Sequence, residues 1–321
     1  MELKTKQEPL PVDILLDQYR TKGPRPLESE KIHFEFPEEK DIYNITAPFD
    51  DAGRKMIAAR VEARDSEDSE VYFFKETEDH RYVLAEDTPV FQLQDPFVTK
   101  IHGELVFGGV EIFPKKDQPD QLDWRTVFFR GKSIQDLQPF FEGPIGMKDI
   151  RLCELPDGSI AVFTRPQGKK GGRGKIGYAR INKLEELTIE LIDDAPLFDD
   201  LFLDEEWGGA NEIHVLGNGL LGVLGHIAKF DEKGERHYYP MVFAVDPYTA
   251  AFSKVQIIAE RSDFQDGPAK RPDLVDVVFS GGLIRRDDGL AELYAGTSDA
   301  EAQKIIIPDP LKQYENRRIE S

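Results

Sequence analysis

Asp95-Pro96-Phe97-Val98-Thr99-Lys100-Ile101-His102-Gly103-Glu104-Leu105-Val106-Phe107-Gly108-Gly109-Val110-Glu111 reads as two apolar strands joined by a turn that ends in glycine. The same pattern recurs at residues 43–62, 148–165, 211–228 and 276–296. The turn glycines are Gly53, Gly103, Gly158, Gly219 and Gly289, at intervals of 50, 55, 61 and 70 residues. Three turns read Asp-Gly or Asn-Gly, at 157–158, 218–219 and 288–289. Such pairs favour the positive φ angles that match strand twist in a hairpin. One hairpin every 50–70 residues leaves room for two more strands, the spacing of a four-stranded propeller blade. Five repeats use about the whole chain. The sequence therefore predicts an all-β fold, a five-bladed β-propeller, with an all-β sandwich of accidental regularity as the competing architecture.

Working outward, residues 1–30 form an N-terminal segment with one short helix expected near 11–20. Residues 31–310 form the propeller, and residues 311–321 a C-terminal tail. A further helical turn is expected in 133–141. Of the 321 residues, 40% are hydrophobic, including 21 Phe and 10 Tyr, enough for a large core. The net charge of -20 disfavours nucleic acid and anionic membranes as partners. The charged start of the chain shows no signal peptide, and no apolar run reaches the roughly 18 residues of a membrane span. A cytoplasmic location is the expectation. Cys153 is the only cysteine; it lies in an apolar-alternating stretch and reads as a buried, inert thiol. No zinc-type spacing or EF-hand loop occurs, so no metal is expected. No oligomeric state follows from the sequence.

In a propeller, equivalent positions converge on the axis. Seven residues after each turn glycine stand Arg60, Val110, Arg165, His226 and Gly296. Ahead of the turns stand Asn44, Asp95, Asp149, Asn211 with Glu212, and Asp276. Cations near carboxylates and amides make a polar funnel, where each charge must be paired or used on a ligand. Glycine-rich 168–175 fails the phosphate-loop spacing, because no Gly-Lys-Ser/Thr ends it and no helix is expected after it. It reads as a basic hairpin able to gate the site. Among the aromatics, Trp207 stands beside glycines and acids, which favours an exposed ring able to stack on a sugar.

These stretches carry a resemblance. Arg60-Val61-Glu62 followed by Asp68-Ser69, Gln94-Asp95-Pro96-Phe97-Val98-Thr99, Lys148-Asp149, Arg165-Pro166, the strand 220–227 with His226, and the stretch from Val278-Phe279 to Ser298-Asp299 are similar to motifs of the furanosidase-like clan of five-bladed propellers. The chain resembles most the mannoside phosphorylases and β-mannosidases of glycoside hydrolase family 130, and an uncharacterised family grouped with them. In that family's Glu-Asp-Pro-Arg motif the Asp is the general acid, so the resemblance implies that role for Asp95. Gln94 and Phe97 depart from the motif, and Gly225 replaces the Tyr of a Tyr-His-Gly strand end.

Glycoside cleavage needs a proton donor to the leaving oxygen, and a water or phosphate nucleophile on the opposite face. Asp95 is the candidate acid, and Asp-Pro at a strand start is also an ordinary turn. Glu212 is preferred as the second carboxylate, ahead of Asp149 and Asp299, because Gly208-Gly209-Ala210-Asn211 leads tightly into it. Asn44, Arg60, Asp149, Trp207, Asn211 and Asp299 are candidate substrate contacts. Lys148, Arg165 and His226 are candidate phosphate or anion contacts, with Arg suited to bidentate binding. The plainer reading of the same cations is ion pairing that stabilises the ring. The expected function is a glycoside hydrolase or phosphorylase acting on a small mannoside-like carbohydrate, with inorganic phosphate as the co-substrate and no other cofactor. A non-catalytic sugar-binding propeller and a protein-interaction propeller remain the alternatives.

Overall fold

All five turn glycines take a positive φ, between 79° and 83°. At Gly53 and Gly103 the preceding residue is left-handed too, with Ala52 and His102 both at 51°. Those two are the tight hairpin turns in which both central residues need positive φ. The computed structural model describes residues 3–315. It is 45% strand and 12% helix.

Each hairpin grows into an antiparallel meander. The first comprises Asp41–Tyr43, Arg54–Glu62, Glu70–Glu76 and Tyr82–Leu84. The second comprises Gln94–Ile101, Glu104–Pro114, Leu122–Gly131 and Gln138–Glu142. The third has three strands, Arg151–Glu154, Ile160–Thr164 and Gly177–Ile181. The fourth comprises Trp207–Val215, Leu221–Phe230, Arg236–Val245 and the short Gln256–Ile257. The fifth comprises Asp276–Arg285, Leu290–Thr297 and Glu301–Pro308, and its outer strand, Glu28–Lys31, comes from near the N-terminus. The strand Glu28–Lys31 thus straddles the boundary expected at residue 30.

The hydrogen-bonded ladders form sheets of 14, 4 and 3 strands and do not join into one closed sheet. Packing supplies the remaining adjacency. Among the described residues the buried apolar side chains fall into five clusters, each shared by two neighbouring meanders. Phe73 with Phe107 joins first to second, and Phe128 with Leu152 second to third. Phe163 with Phe243 joins third to fourth, and Leu224 with Leu293 fourth to fifth. Ile45 and Phe74 with Tyr294 join first to fifth, so the last meander lies against the first. Neighbouring sheets cover both faces of the inner strands, which is why buried runs such as 56–62 lack an exposed face.

The N-terminal segment contains the helix Val12–Lys22, which buries Val12, Leu15, Leu16 and Tyr19 against the third and fourth meanders. No side chain caps it, but the Val12 N–H donates to Glu206 Oε1 at 2.6 Å, so a buried carboxylate fills that role. Leu311 is fully buried and Lys312–Glu315 forms a helical turn; the rest of the expected tail lies outside the described residues. The expected helical turn in 133–141 is the 3₁₀ turn Ile134–Asp136. Cys153 is buried and its thiol is pushed up to about 12, as a structural cysteine should be.

The last meander meets the first at a close backbone approach as well as through packing. A Cβ at Gly281 would lie 1.8 Å from the Ile45 carbonyl oxygen. Gly281→Ala therefore forces the two strands apart. It should destabilise the fold by about 1–3 kcal/mol, the usual range for overpacking, read as a lowered midpoint in denaturant unfolding; an unchanged midpoint would mean that this contact does not hold the ends together.

Candidate functional site

Two acids and an amide stand at an end of a first strand, and all three are left-handed: Asn44 at φ 43°, just after Asp41–Tyr43, Asp95 at 48° and Asp149 at 60°. Asn and Asp tolerate this region better than other residues with a Cβ. The first strands of the second, fourth and fifth meanders also carry register shifts, at 94–97, 210–212 and 280–282. A bulge re-aims side chains out of the alternating pattern. Here the side chains turn toward a shared polar cavity of about 220 Å³.

Eight of the eleven residues expected at the site line it: Asn44, Arg60, Asp95, Lys148, Asp149, Arg165, His226 and Asp299. Trp207 lines a second cavity of about 510 Å³, which shares Glu67, Gln94, Lys148, Arg165, Arg236 and Tyr238 with the first and opens outward from it. Asn211 stands behind His226, its Oδ1 2.9 Å from Nδ1. Glu212 is the correction. The bulge at Asn211 sends the next side chain to the other face, where it meets His214 at 2.8 Å and accepts from the Leu283 N–H at 2.6 Å. Glu212 is therefore not the second carboxylate of this cavity; Asp149 and Asp299 are the acids there beside Asp95. Trp207 also departs from expectation. It is buried, with Nε1 donating to Tyr238 at 3.0 Å and Phe230 and Arg173 packed on its ring. Asp276 instead pairs with His237 and Tyr239 away from the cavity.

The charges fall into two groups. Around Arg60, Nη1 lies 3.3 Å from Asp95 Oδ1, Nη2 2.9 Å from Glu62, and the guanidinium sits over the Tyr43 ring. Asn44 Nδ2 donates to the same Asp95 oxygen at 2.7 Å. Burial disfavours ionised Glu62, but Arg60, Lys270, Ser69 and Tyr43 outweigh it and hold the carboxyl below its ordinary value. In the second group, Asp149 lies 3.4 Å from Arg165 and 3.7 Å from Arg151. Burial opposes its ionisation, and the surrounding cations prevail, so it is held low. His226 is fully buried, and burial drives it down to about 3, against the pull of Asp149. It is neutral at working pH. A carboxamide oxygen only accepts, so the Nδ1 facing Asn211 carries the proton and Nε2 keeps a lone pair.

Asp299 behaves differently. Burial raises it to about 6, with Arg60 opposing and Asp95 reinforcing. It remains protonated into the mildly acidic range, which suits a group that must give up a proton near neutral pH.

Several buried polar atoms here have no hydrogen-bond partner: Asn44 Oδ1, Asp149 Oδ1, Arg165 Nη1, Asn211 Nδ2 and Gln167 Oε1. Unmade bonds of this kind are costly, and a polar ligand repairs them. The fit is close at Gly209, where a Cβ would meet Asp149 Oδ2, Arg165 Cδ and His226 Cε1 at 2.9–3.0 Å. Glycine lets the fourth meander's backbone approach the charged group, and Arg165 Nε donates to the Gly208 carbonyl at 2.9 Å.

Sequence reasoning missed Glu67, Arg236, Tyr238 and Arg271 in the lining, and Glu62, Arg151 and Lys270 behind it. Arg151 lies over the Phe97 ring at 4.1 Å, so a buried cation stands beside the Asp-Pro turn although residue 97 is not one. The stretch 168–175 contains a short helical turn, and its Arg173 reaches the outer cavity, over Trp207 and Phe230. Among the described residues no cluster of three or more His, Cys, Asp or Glu side chains is arranged to hold a metal ion.

Comparison with known proteins places this geometry in context. The profile of the family described as "Protein of unknown function (DUF1861)" matches residues 19–313. MPT-4, a mannose phosphorylase from Leishmania mexicana solved with a phosphate ion, is 34% identical, with 94% of each chain covered and a TM-score of 0.86. MPT-1, a GDP-Man-dependent mannosyltransferase from the same organism, is 32% identical over 96% of this chain and 98% of its own, with a TM-score of 0.85. A structure of the GH130 family, described as containing hydrolases of β-1,2-mannosidic linkages in Candida mannan, aligns at a TM-score of 0.63 over 88% of this chain and 92% of its own. At 15% identity it speaks to fold alone. No curated protein matches the sequence. The structural neighbours are thus the mannoside phosphorylases and related glycoside hydrolase-like proteins that the motifs resemble.

The raised Asp299 makes stability depend on pH. Its folded value of about 6 exceeds the ordinary 3.8, so its contribution is complete below about pH 4 and is lost as the pH rises through 6. Asp299→Asn removes that slope. Between about pH 4 and pH 7, wild type should lose on the order of 2–3 kcal/mol relative to the variant in denaturant unfolding; parallel pH curves would show that Asp299 ionises normally.

Proposed function

We propose, from the premise that the chain belongs to the family described as "Protein of unknown function (DUF1861)", that it is a glycoside phosphorylase cleaving a small mannoside with inorganic phosphate. The observation that carries this is the composition of the 220 Å³ cavity: the carboxyls of Asp95 and Asp299 line it together with Lys148 and Arg165, whose Nη1 has no hydrogen-bond partner. In the same reading the five meanders are blades of one propeller, closed by the N-terminal strand, and the cavity lies at its axis. The five shared apolar clusters support that arrangement.

In phosphorolysis a phosphate oxygen attacks the anomeric carbon, the glycosidic bond breaks, and its oxygen takes a proton as it leaves. Asp95 is the donor. Asn44 and Arg60 both engage its Oδ1, which leaves Oδ2 for the substrate. Asp299, protonated to about pH 6 beside it, is the proton source that restocks Asp95. Arg165 and Lys148 neutralise the phosphate, with Arg able to bind two oxygens. The similarity to a mannose phosphorylase solved with phosphate supports this assignment. Water is the weaker nucleophile for this site, because a cavity built from fixed cations favours an anion.

A second reading, mannosyl transfer from a nucleotide sugar, is favoured by one observation. The outer cavity of about 510 Å³ presents Trp124, Phe230 and Tyr238 alongside Arg173 and Arg236. Rings suit a base and arginines suit a diphosphate. A relative is described as GDP-Man-dependent.

One assay separates these readings. Purified protein is given β-1,2-mannobiose with and without phosphate, and GDP-mannose with mannose. Phosphate-dependent release of mannose 1-phosphate is expected. Asp95→Asn should lower kcat by about 100-fold or more, as loss of a general acid does, and Arg165→Lys should raise the KM for phosphate. Release of GDP would select the transfer reading. Sugar binding without turnover would leave a non-catalytic propeller.

A further inference from the structure

The segment joining the fourth and fifth meanders, residues 261–275, sits on the rim of the cavity and contributes Arg271 and Leu274 to its lining. Its Lys270 is only 4% exposed at the side chain, low for the most readily solvated of side chains. The ammonium group has three hydrogens, and three oxygens receive it: a short bond to Glu62 Oε1, the Ser66 carbonyl at 2.8 Å, and Glu67 at 3.2 Å. Glu62 in turn grips Arg60 through Oε2, and Arg60 grips Asp95.

The same residue reaches the other acid by its backbone. The Lys270 N–H donates to the Ser298 carbonyl at 3.0 Å. Ser298 and Asp299 are both left-handed, at φ 54° and 50°. Two such residues in succession, neither of them glycine, are strained and persist only when neighbours hold them. Most of those contacts come from this segment, with one from the strand that follows it, Asp276–Arg285. Arg261 Nε donates to Ser298 Oγ at 2.9 Å and Ser298 Oγ donates to the Val275 carbonyl at 2.8 Å, while the Ser298 N–H donates to the Val277 carbonyl, in the strand that follows, at 2.7 Å.

We infer that Lys270 is a positioning residue that sets both acids of the cavity at once, Asp95 through Glu62 and Arg60, and Asp299 through the Ser298 turn. This rests on the phosphorylase reading for its catalytic consequence, and on geometry alone for the coupling. Asp299 faces Arg60, Asp95, Lys270, Lys148, Tyr43 and Arg271. Of these, Lys270 is the one cation whose chain also fixes the Asp299 backbone. Removing its charge therefore changes how readily Asp299 ionises, and it releases the side-chain anchor on Glu62 and Ser66 that holds the Lys270 N–H against the Ser298 carbonyl.

The test compares wild type, Lys270→Met and Lys270→Arg. Phosphorolysis kinetics are followed against pH, and the carboxyl carbons are titrated by ¹³C NMR, with signals assigned through Asp95→Asn and Asp299→Asn. In Lys270→Met, kcat should fall by about 100-fold, the scale of a small misplacement of reacting groups. The KM for phosphate should stay within about twofold of wild type. The Asp299 midpoint should rise above its wild-type value, because Lys270 lowers it. Lys270→Arg should restore the midpoint and most of kcat. Unchanged kcat and an unchanged midpoint in Lys270→Met would overturn the assignment. So would equal losses of activity and melting temperature in both variants, which mark a side chain that only supports the fold. If wild type shows no phosphorolysis, the functional reading fails, and the carboxyl titration alone still decides the coupling.

Discussion

Arg60 is held almost wholly out of water between Asp95 and Glu62, against the ring of Tyr43. Taking such charges from water costs several kcal/mol per ion, and only close pairing and further hydrogen bonds repay it. The rest of the centre follows from that constraint. Glu62 cannot serve Arg60 unless its other oxygen is also satisfied, so Tyr43 and Lys270 converge on it, with Ser69 on the Arg60 side. Asp149 faces the same requirement and meets it with Arg165 and Arg151. One meander supplies only part of each group. Arg60 comes from the first and Asp95 from the second, while Asp149 and Arg165 come from the third and lean on the fourth through Gly208. The buried charges therefore tie neighbouring meanders together wherever the apolar clusters give way to the cavity.

A centre satisfied only by its own ion pairs would be inert ballast. This one is incomplete. Asn44 and Asp149 each leave an oxygen, and Arg165 and Asn211 each leave a nitrogen, without a hydrogen-bond partner. Acceptors and donors are both left over, so the group that completes the set must offer both. A sugar hydroxyl does, and so does a protonated phosphate. His226 is neutral for a separate reason. Beside Arg165 and Lys148 a third cation would be repelled, and burial removes the solvent that would otherwise sustain it.

Much of this was legible in the chain. The turns betray themselves because each ends in glycine between apolar runs, three of them as Asp-Gly or Asn-Gly, and all five glycines take the positive φ of a hairpin turn. The inward-facing acids and amides were legible for a related reason: a left-handed residue at the end of a strand is best filled by Asn or Asp, so Asn44, Asp95 and Asp149 stand out against apolar neighbours. Glu212 shows where the reasoning fails. Sequence spacing counts residues, and a bulge inserts one, so the carboxyl next to Asn211 lands on the opposite face. Trp207 was misread because its glycine neighbours suggest an open loop. In the fold those glycines mark a backbone pressed against Asp149 and Arg165. Lys270 and Arg271 gave no local signal at all, since they lie in an irregular connection whose path is set by the meanders on either side.

The contrast between Asp95 and Asp299 carries the argument furthest. Both are aspartates that line the cavity, both are left-handed, and both lie near Arg60. Asp95 takes two direct hydrogen bonds at one oxygen from charged or amide donors. Asp299 feels the cations only across space, and burial then dominates and lifts it to about 6. The two thus differ in their contacts: direct donors fix Asp95 in place, while Asp299 holds its proton to about pH 6. The difference does not reside in either aspartate. It resides in the residues that reach one and stop short of the other: Asn44 with its amide on Asp95, and Lys270, whose ammonium is spent on Glu62 and whose backbone alone touches the turn that carries Asp299.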